Sequence, residues 1–352
     1  MKANFIQKVN YLVTNDLPFA LFCLPDADNI QLYYQDDIIL HTASSLDFEG
    51  FVIAPFDWDK TYKFIPNTKQ LTITKTDFLA HYSTDKKPVF SKGNVAEKVQ
   101  HIALVTKAIQ LIQAKKVTKV VCSRVETQKG TLAYLKTFAV MLKTYPFAFN
   151  YLFNHPEIGK WQGASPERLL VYENGSLETI SLAGTQAFVD QNTSFYIWKQ
   201  KEKEEQQIVT DYIIAKLKTI SDEVSVSNAE TALAGKVVHL KSKIKASVKQ
   251  KTLHHAISLL HPTPAVCGFP TEEAKKFILK NEQYDRSYYT GFFGLVSNDN
   301  VQFNVNLRCM KIAENRIHFF IGGGINQGSN PEAEWQETCI KAAVMKEIVV
   351  LE

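Results

Sequence analysis

No low-complexity linker and no internal repeat divides the 352 residues, so strand-like and helical runs share one uninterrupted chain. A chain of about this size can bury roughly 75% of its unfolded surface, enough for one large core. The expectation is therefore a single α+β domain, residues 1–352, with antiparallel sheets backed by helices. With 45% hydrophobic residues and only 15 Gly and 12 Pro, disorder, collagen and coiled coil are excluded.

Residues 1–90 read as loop-rich and aromatic, with half-buried strands at 29–34 and 70–74. Apolar residues at helical spacing predict a helix from Val95 to about Ala114, followed by a buried strand at 119–123 and a helix at 132–142. Strands are expected at 147–153 and 168–182, the latter turned by Asn174-Gly175, the strongest hairpin signal in the chain. A helix rich in Lys and Glu follows at 195–217, then a polar connector, a helix at 251–260, a Pro-punctuated stretch at 262–270 and a helix at 271–280. Three strands are expected near 290–297, 301–311 and 316–321. The last helix opens with Ser329 as N-cap, Pro331 in the first turn and Glu332 three residues after the cap.

The 40 Lys and Arg against 36 Asp and Glu leave a net charge of +4, spread along the chain. That balance speaks against a nucleic-acid partner and suits a small anionic substrate. Five well-separated cysteines without a Cys-x-x-Cys pair read as free thiols in a reducing cytoplasm, and no apolar run suggests a membrane span or a signal segment. A Walker loop is missing, Gln327 stands where a dinucleotide fingerprint needs its third Gly, and Gly163-Ala-Ser-Pro-Glu167 departs from a hydrolase elbow at its last position.

Two Glu-x-x-Glu pairs, Glu202 with Glu205 and Glu334 with Glu337, each place two carboxylates on one face of a predicted helix. If the two helices face one another, four acids converge, and oxygen-only ligation suits Mg²⁺. On local pattern alone, a solvated helix face explains the alternating charges of Lys199 to Glu205 better.

The surrounding motifs reverse that balance. Gly163-Ala-Ser-Pro-Glu167, Leu182-Ala-Gly-Thr185, Leu260-His-Pro-Thr-Pro-Ala265, Arg286-x-x-Tyr289-x-Gly291, Asn306-Leu-Arg308 and Glu334-Trp-x-Glu337-Thr-x-x-Lys341 occur in that order. Together they resemble the chorismate-utilising family, which includes isochorismate synthases, salicylate synthases and the chorismate-binding subunits of anthranilate and aminodeoxychorismate synthases. The resemblance covers about residues 90–350, with residues 1–90 as the variable N-terminal part of the same fold. It implies the anthranilate synthase component I type of fold, a large antiparallel β-sandwich flanked by helices. It also implies a Mg²⁺-dependent site for chorismate, with Glu205 and Glu337 as direct metal ligands and Glu202 and Glu334 nearby or acting through water.

Lys119 before Val120-Val121-Cys122-Ser123-Arg124 resembles the isochorismate and salicylate synthases rather than the amine-using members. That resemblance implies that Lys119 activates a water attacking ring carbon 2 while Glu167 protonates the hydroxyl leaving carbon 4. A lysine with a pKa near 10.4 is only about one part in a thousand neutral at pH ~7.4, a cost of ~4 kcal/mol. A base at this position therefore needs its pKa lowered, and an acid at Glu167 needs the opposite shift. Without the other motifs, Lys119 would read as a strand-end lysine with its head in water, and Glu167 equally well as a turn carboxylate.

By the same motif matches, Arg308 pairs with a substrate carboxylate and Tyr289 donates a hydroxyl. Gly184 and Thr185 line the ring pocket, His261 contacts the ring hydroxyl region, and Lys341 balances the acids. Gly322, Gly323 and Gly324 would let backbone N–H groups approach the anion, although a glycine run is often a turn and His261 could be a satisfied loop histidine. The family's usual Lys-Asp-x-His-Glu-His becomes Lys201-Glu-Lys-Glu-Glu205-Gln206 here, which puts the surroundings of Glu205 in question. Cys267 replaces a small residue and reads as a packing change. The expected activity is that of an isochorismate synthase acting on chorismate. The alternatives are a salicylate synthase and a chorismate-binding protein without turnover. The product would feed menaquinone or a catechol siderophore, with quinone synthesis and a monomer favoured because no partner-docking extension is evident.

Overall fold

The computed structural model describes residues 2–82, 95–298 and 300–352, apart from residues 188, 191, 194, 195, 235 and 236. The N-terminal part comprises α1 (Lys2–Thr14), β1 (Phe19–Cys23), β2 (Asn29–Tyr34), β3 (His41–Ala43), β4 (Gly50–Ala54), β5 (Tyr62–Pro66), β6 (Gln70–Thr74) and α2 (Lys75–Leu79). The middle runs α3 (Val95–Gln113), β7 (Lys119–Lys129), α4 (Tyr134–Thr144), β8 (Phe149–His155), β9 (Gly159–Ser165), β10 (Arg168–Glu173), β11 (Ser176–Ala187) and α5 (Gln200–Leu217). Then come β12 (Val224–Val226), β13 (Glu230–Ala234), β14 (Val237–Ser247), α6 (Gln250–Leu260), β15 (Gly268–Phe269) and α7 (Thr271–Asn281). The chain closes with β16 (Phe292–Ser297), β17 (Asn300–Val305), β18 (Cys309–Ala313), β19 (Arg316–Ile325) and α8 (Pro331–Lys346).

The strands form two antiparallel sheets, in the orders β15-β7-β19-β18-β9-β8-β1-β2-β6 and β12-β14-β11-β10-β17-β16-β4-β5-β3. An aromatic core fills the space between them, with Phe22, Phe149, Tyr151, Phe153 and Trp161 from one sheet and Phe51 and Phe293 from the other. Tyr151 and Phe293 meet at 4.3 Å between ring centroids. On the outer face of the first sheet, α1, α4 and the segment just after α8 bury Phe5, Val9, Phe138 and Ile348. On the second, α5 and α6 bury Ile213, Leu217, Leu253 and Ile257. This helix–sheet–sheet–helix layering is the helix-flanked sandwich expected from the motifs.

Several expectations change in detail. The loop-rich start contains α1, whose Phe5, Val9 and Leu12 are buried. The polar connector is three strands, and in β14 Leu240, Ser242, Ile244 and Ala246 are buried while the lysines between them point outward. The single strand expected at 301–311 is two, β17 and β18, divided at a corner where Arg308 takes φ +48°. Asn330, not Ser329, caps α8, its side chain accepting from the N–H groups of Glu332 and Ala333. The hairpin at Asn174-Gly175 is present, with φ +48° and +87°, both values a type I′ turn requires.

Candidate active site

β7 runs beside β19 in a long antiparallel ladder that sets Ser123, Cys122 and Val121 opposite Gly322, Gly323 and Gly324. Lys119 opens β7, where Phe269 of β15 pairs with it on the far side. The glycines of β19 leave room for side chains. A β-carbon on Gly324 would lie 2.9 Å from Lys119 Cε, and one on Gly322 would lie 2.7 Å from the Tyr289 hydroxyl. A β-carbon on Gly323 would lie 3.4 Å from Glu334 Oε2 and 3.9 Å from Glu337 Oε1. The glycine run is therefore a laddered strand, not a turn. Its pairing with β18 ends at Phe319.

Glu167 sits in the two-residue link between β9 and β10. Its carbonyl accepts from the Val305 N–H at 2.9 Å, and its own N–H donates to Ser165 Oγ at 3.3 Å. Burial pushes its carboxyl up to about 7, against the pull of the Lys119 charge. Burial also lowers the pKa of Lys119, opposed by the negative charges of Glu167 and Glu205 and assisted by Lys341. Both side chains keep part of their surface accessible, as groups lining a recess do. A half-buried base and a half-buried acid with opposed shifts thus share one site.

Lys341 Nζ lies 2.6 Å from Glu337 Oε1 and donates to the Gly322 carbonyl at 3.0 Å. Burial raises the Glu334 pKa, and Glu337 raises it further. Beside the other acidic helix, Gly184 (φ +70°) forms a bulge in β11 and leaves space for Glu202 of α5, whose Cβ and carbonyl oxygen would each stand 3.2 Å from a β-carbon there. One carboxylate oxygen of Glu202, Oε2, is buried without a hydrogen-bond partner.

The four acids do not converge as expected. Among the described residues no three His, Cys, Asp or Glu side chains form a ready-made cation cage. The charges of both helices act instead on Lys119, where Glu205 of α5 favours the protonated amine and Lys341 of α8 disfavours it. The donors are oxygen-only, Glu202 carries an unpartnered oxygen, and Gly323 leaves open space beside two more. That chemistry fits a hard divalent cation.

Two further candidates have partners within the protein. His261 Nε2–H donates to the Phe56 carbonyl (3.1 Å) and the ring packs against Trp58 and Phe292, and burial lowers its pKa to about 4. It is a satisfied histidine at the end of α6. Arg308 lies with its guanidinium 5.6 Å from the Tyr145 ring centroid, and its carbonyl accepts from the Ala164 N–H at 3.1 Å. Its positive-φ corner aims the side chain toward α4. Tyr289 does reach the site, stacked on Phe320 at 5.3 Å and coupled to Glu167. The side chain of Thr185 lies outside the described residues.

Two groups join the site that the motifs did not single out for it. His239 of β14 bonds the Gly184 carbonyl through Nδ1 at 3.0 Å and feels the charges of Lys119 and Lys341. Beneath β7, Glu282 receives both Nε and Nη2 of Arg286 at 2.7 Å and the N–H and hydroxyl of Ser123. Arg286 also donates to the Val121 carbonyl at 2.7 Å, which fixes the strand that carries Lys119. Gln206, where the family usually has His, turns into the sheet and donates toward Ser181, Thr210 and Ser242 at 2.9–3.1 Å.

The family model described as "Chorismate binding enzyme" matches residues 51–350. The chain belongs to the chorismate-binding enzyme family. It is similar to isochorismate synthase MenF of Haemophilus influenzae, 31% identical over 68% of this chain and 58% of that protein. It is also similar to isochorismate synthase EntC of Escherichia coli K12, 29% identical over 73% of this chain and 68% of that protein. The chain thus spans little more than half the length of the Haemophilus relative, and a match to MenF of Escherichia coli K12 spans 46% of that protein. The fold matches the solved structure of the menaquinone-specific isochorismate synthase MenF from Escherichia coli at a TM-score of 0.79, with 23% identity, over 94% of this chain and 88% of that one. Anthranilate synthase component I from Streptococcus pneumoniae TIGR4 matches at a TM-score of 0.73, with 20% identity, over 94% and 92%. Among the described residues no helix is long and apolar enough to cross a membrane.

Proposed function

We propose that this family member is an isochorismate synthase, interconverting chorismate and isochorismate with Mg²⁺. The observation that carries this reading is the placing together of a half-buried lysine of lowered pKa and a half-buried glutamate pushed up to about 7. Neutral Lys119 takes a proton from a water whose oxygen bonds to ring carbon 2. Protonated Glu167 gives its proton to the hydroxyl leaving carbon 4, so one water enters, one departs, and the product is an isomer. The reverse reaction exchanges the roles of incoming and departing water along the same path.

Mg²⁺ would be held by Glu205 and Glu337, with Glu202 and Glu334 beside them, and when bound would neutralise the ring carboxylate. Lys341, tied to Glu337 and the Gly322 carbonyl, keeps the acid pair from repelling itself. Tyr289 supplies a hydroxyl beside Glu167, and Gly184 and the β19 glycines shape the pocket. An Arg308 contact to substrate would require its guanidinium to leave Tyr145. The N-terminal strands and the motif-bearing part act as one catalytic domain, because β1 pairs with β8 and β4 with β16.

The test is incubation of the purified protein with chorismate and Mg²⁺, resolving chorismate, isochorismate and salicylate by chromatography with fluorescence detection. Isochorismate formed only with the metal supports the reading. Salicylate as sole product transfers it to the pyruvate-eliminating relatives, and binding without any product would leave a chorismate-binding protein. Whether menaquinone or a catechol siderophore consumes the product is a question for neighbouring genes.

A further inference from the structure

Arg124 stands five residues along β7 from Lys119 and is 6% exposed. Every side of its guanidinium is engaged. Nε donates to Thr338 Oγ1 at 2.9 Å, Nη2 to Glu126 Oε2 at 3.0 Å, and Nη1 reaches Glu97 Oε2 at 3.5 Å. Its Cζ lies 4.4 Å from the centroid of the Trp335 ring. Trp335 and Thr338 each follow directly after one of the α8 carboxylates, Glu334 and Glu337. Successive helical residues point about 100° apart, so the face that Arg124 grips dictates where the carboxylates point, which is over Gly323. Glu126, two residues on, pairs with Lys346 in the last turn of α8. The strand that carries Lys119 therefore holds α8 near both of its ends.

We propose that Arg124 is a positioning residue for the divalent cation: by stacking on Trp335 and bonding Thr338, it sets the rotation of α8 that brings Glu334 and Glu337 together beside Gly323. The proposal rests on the cation-dependent reading above. A lysine cannot replace this residue, because the site uses a planar face for the indole and separate N–H groups for a hydroxyl and a carboxylate.

The test compares Arg124→Lys, Thr338→Val and Thr338→Ser with the unaltered protein, without substrate, by the rise in Tm on titration with MgCl₂. Turnover of chorismate against Mg²⁺ concentration is measured separately. The midpoint of the Mg²⁺-dependent rise should move at least about tenfold higher in Arg124→Lys and Thr338→Val, stay near the original in Thr338→Ser, and turnover should recover at high Mg²⁺. A lowered Tm with an unmoved Mg²⁺ midpoint in both altered proteins overturns the inference alone and leaves a purely structural clamp. If Arg124→Lys does not fold, Thr338→Val decides in the same way. If the unaltered protein ignores Mg²⁺ in both measurements, the cation reading and this inference fall together.

Discussion

Gly324 faces the stem of Lys119 so closely that a β-carbon would come within 2.9 Å of Cε. Gly324 is not among the glycines with positive φ, so the backbone tolerates Ala there and the cost falls on the lysine. Gly324→Ala should displace the amine by a fraction of an ångström to an ångström, lowering kcat by up to about a hundredfold. Chorismate binding should be retained and Tm little changed. Steady-state kinetics with a thermal melt check this, and an unaltered kcat would remove Lys119 from the reaction.

Gln206→Ala separates the two sides of the acidic helix. The amide donates toward three buried hydroxyls of Ser181, Thr210 and Ser242, and leaving such groups unpaired costs about 1–3 kcal/mol. Because Gln206 turns away from Glu205, the Mg²⁺ concentration for half-maximal turnover should not move. Urea unfolding gives the first quantity and metal titration of the rate gives the second. A large metal effect would restore a role for this position beside the cation.

Much of this site is legible in the chain, for physical reasons that also explain the failures. Lys119, Glu167 and the Glu-x-x-Glu pairs stand out only through the ordered motifs around them, because on local pattern a strand-end lysine, a turn carboxylate and a solvated helix face explain them as well or better. The β14 strand does not, because Lys241, Lys243 and Lys245 alternate with buried residues whose outward partners make the whole stretch look polar. His239 was hidden in that stretch. His261 and Arg308 stand inside motifs but bond to Phe56 and lie over Tyr145, since a motif constrains neighbours in sequence and not where a flexible side chain ends. The pairing of β1 with β8, and of β4 with β16, joins segments far apart in the chain, which no local periodicity encodes.

Glu282→Gln should be among the most damaging substitutions away from the reacting groups. Arg286 is 2% exposed, and both of its bonds to Glu282 run at 2.7 Å. Removing the negative partner strands a buried cation, a loss of about 3–5 kcal/mol. Ser123→Ala, which deletes one hydroxyl from the same network, should cost about 1 kcal/mol. Guanidinium unfolding midpoints order the two, and equal losses would show that the ion pair contributes little.

Glu167→Gln tests the acid directly. The carboxyl is pushed up to about 7 by burial, so the proton it donates is present below that pH and absent above it. In the unaltered protein kcat/KM for chorismate should fall on the alkaline side with an apparent pKa near 7, while the acid side is set by Lys119, which must be neutral. Glu167→Gln should lower kcat about 10²–10⁴-fold and erase the alkaline limb, with chorismate still bound. Stability gives an independent sign. A carboxyl whose folded pKa lies above its unfolded value binds more protons when folded. It therefore contributes stability that is full below the unfolded value and is lost as pH rises toward about 7. The amide has no such loss, so the Tm of Glu167→Gln relative to the unaltered protein should climb between pH 4.5 and 7 and level off above. A flat difference across that range would mean Glu167 ionises like an exposed carboxylate and could not serve as the acid.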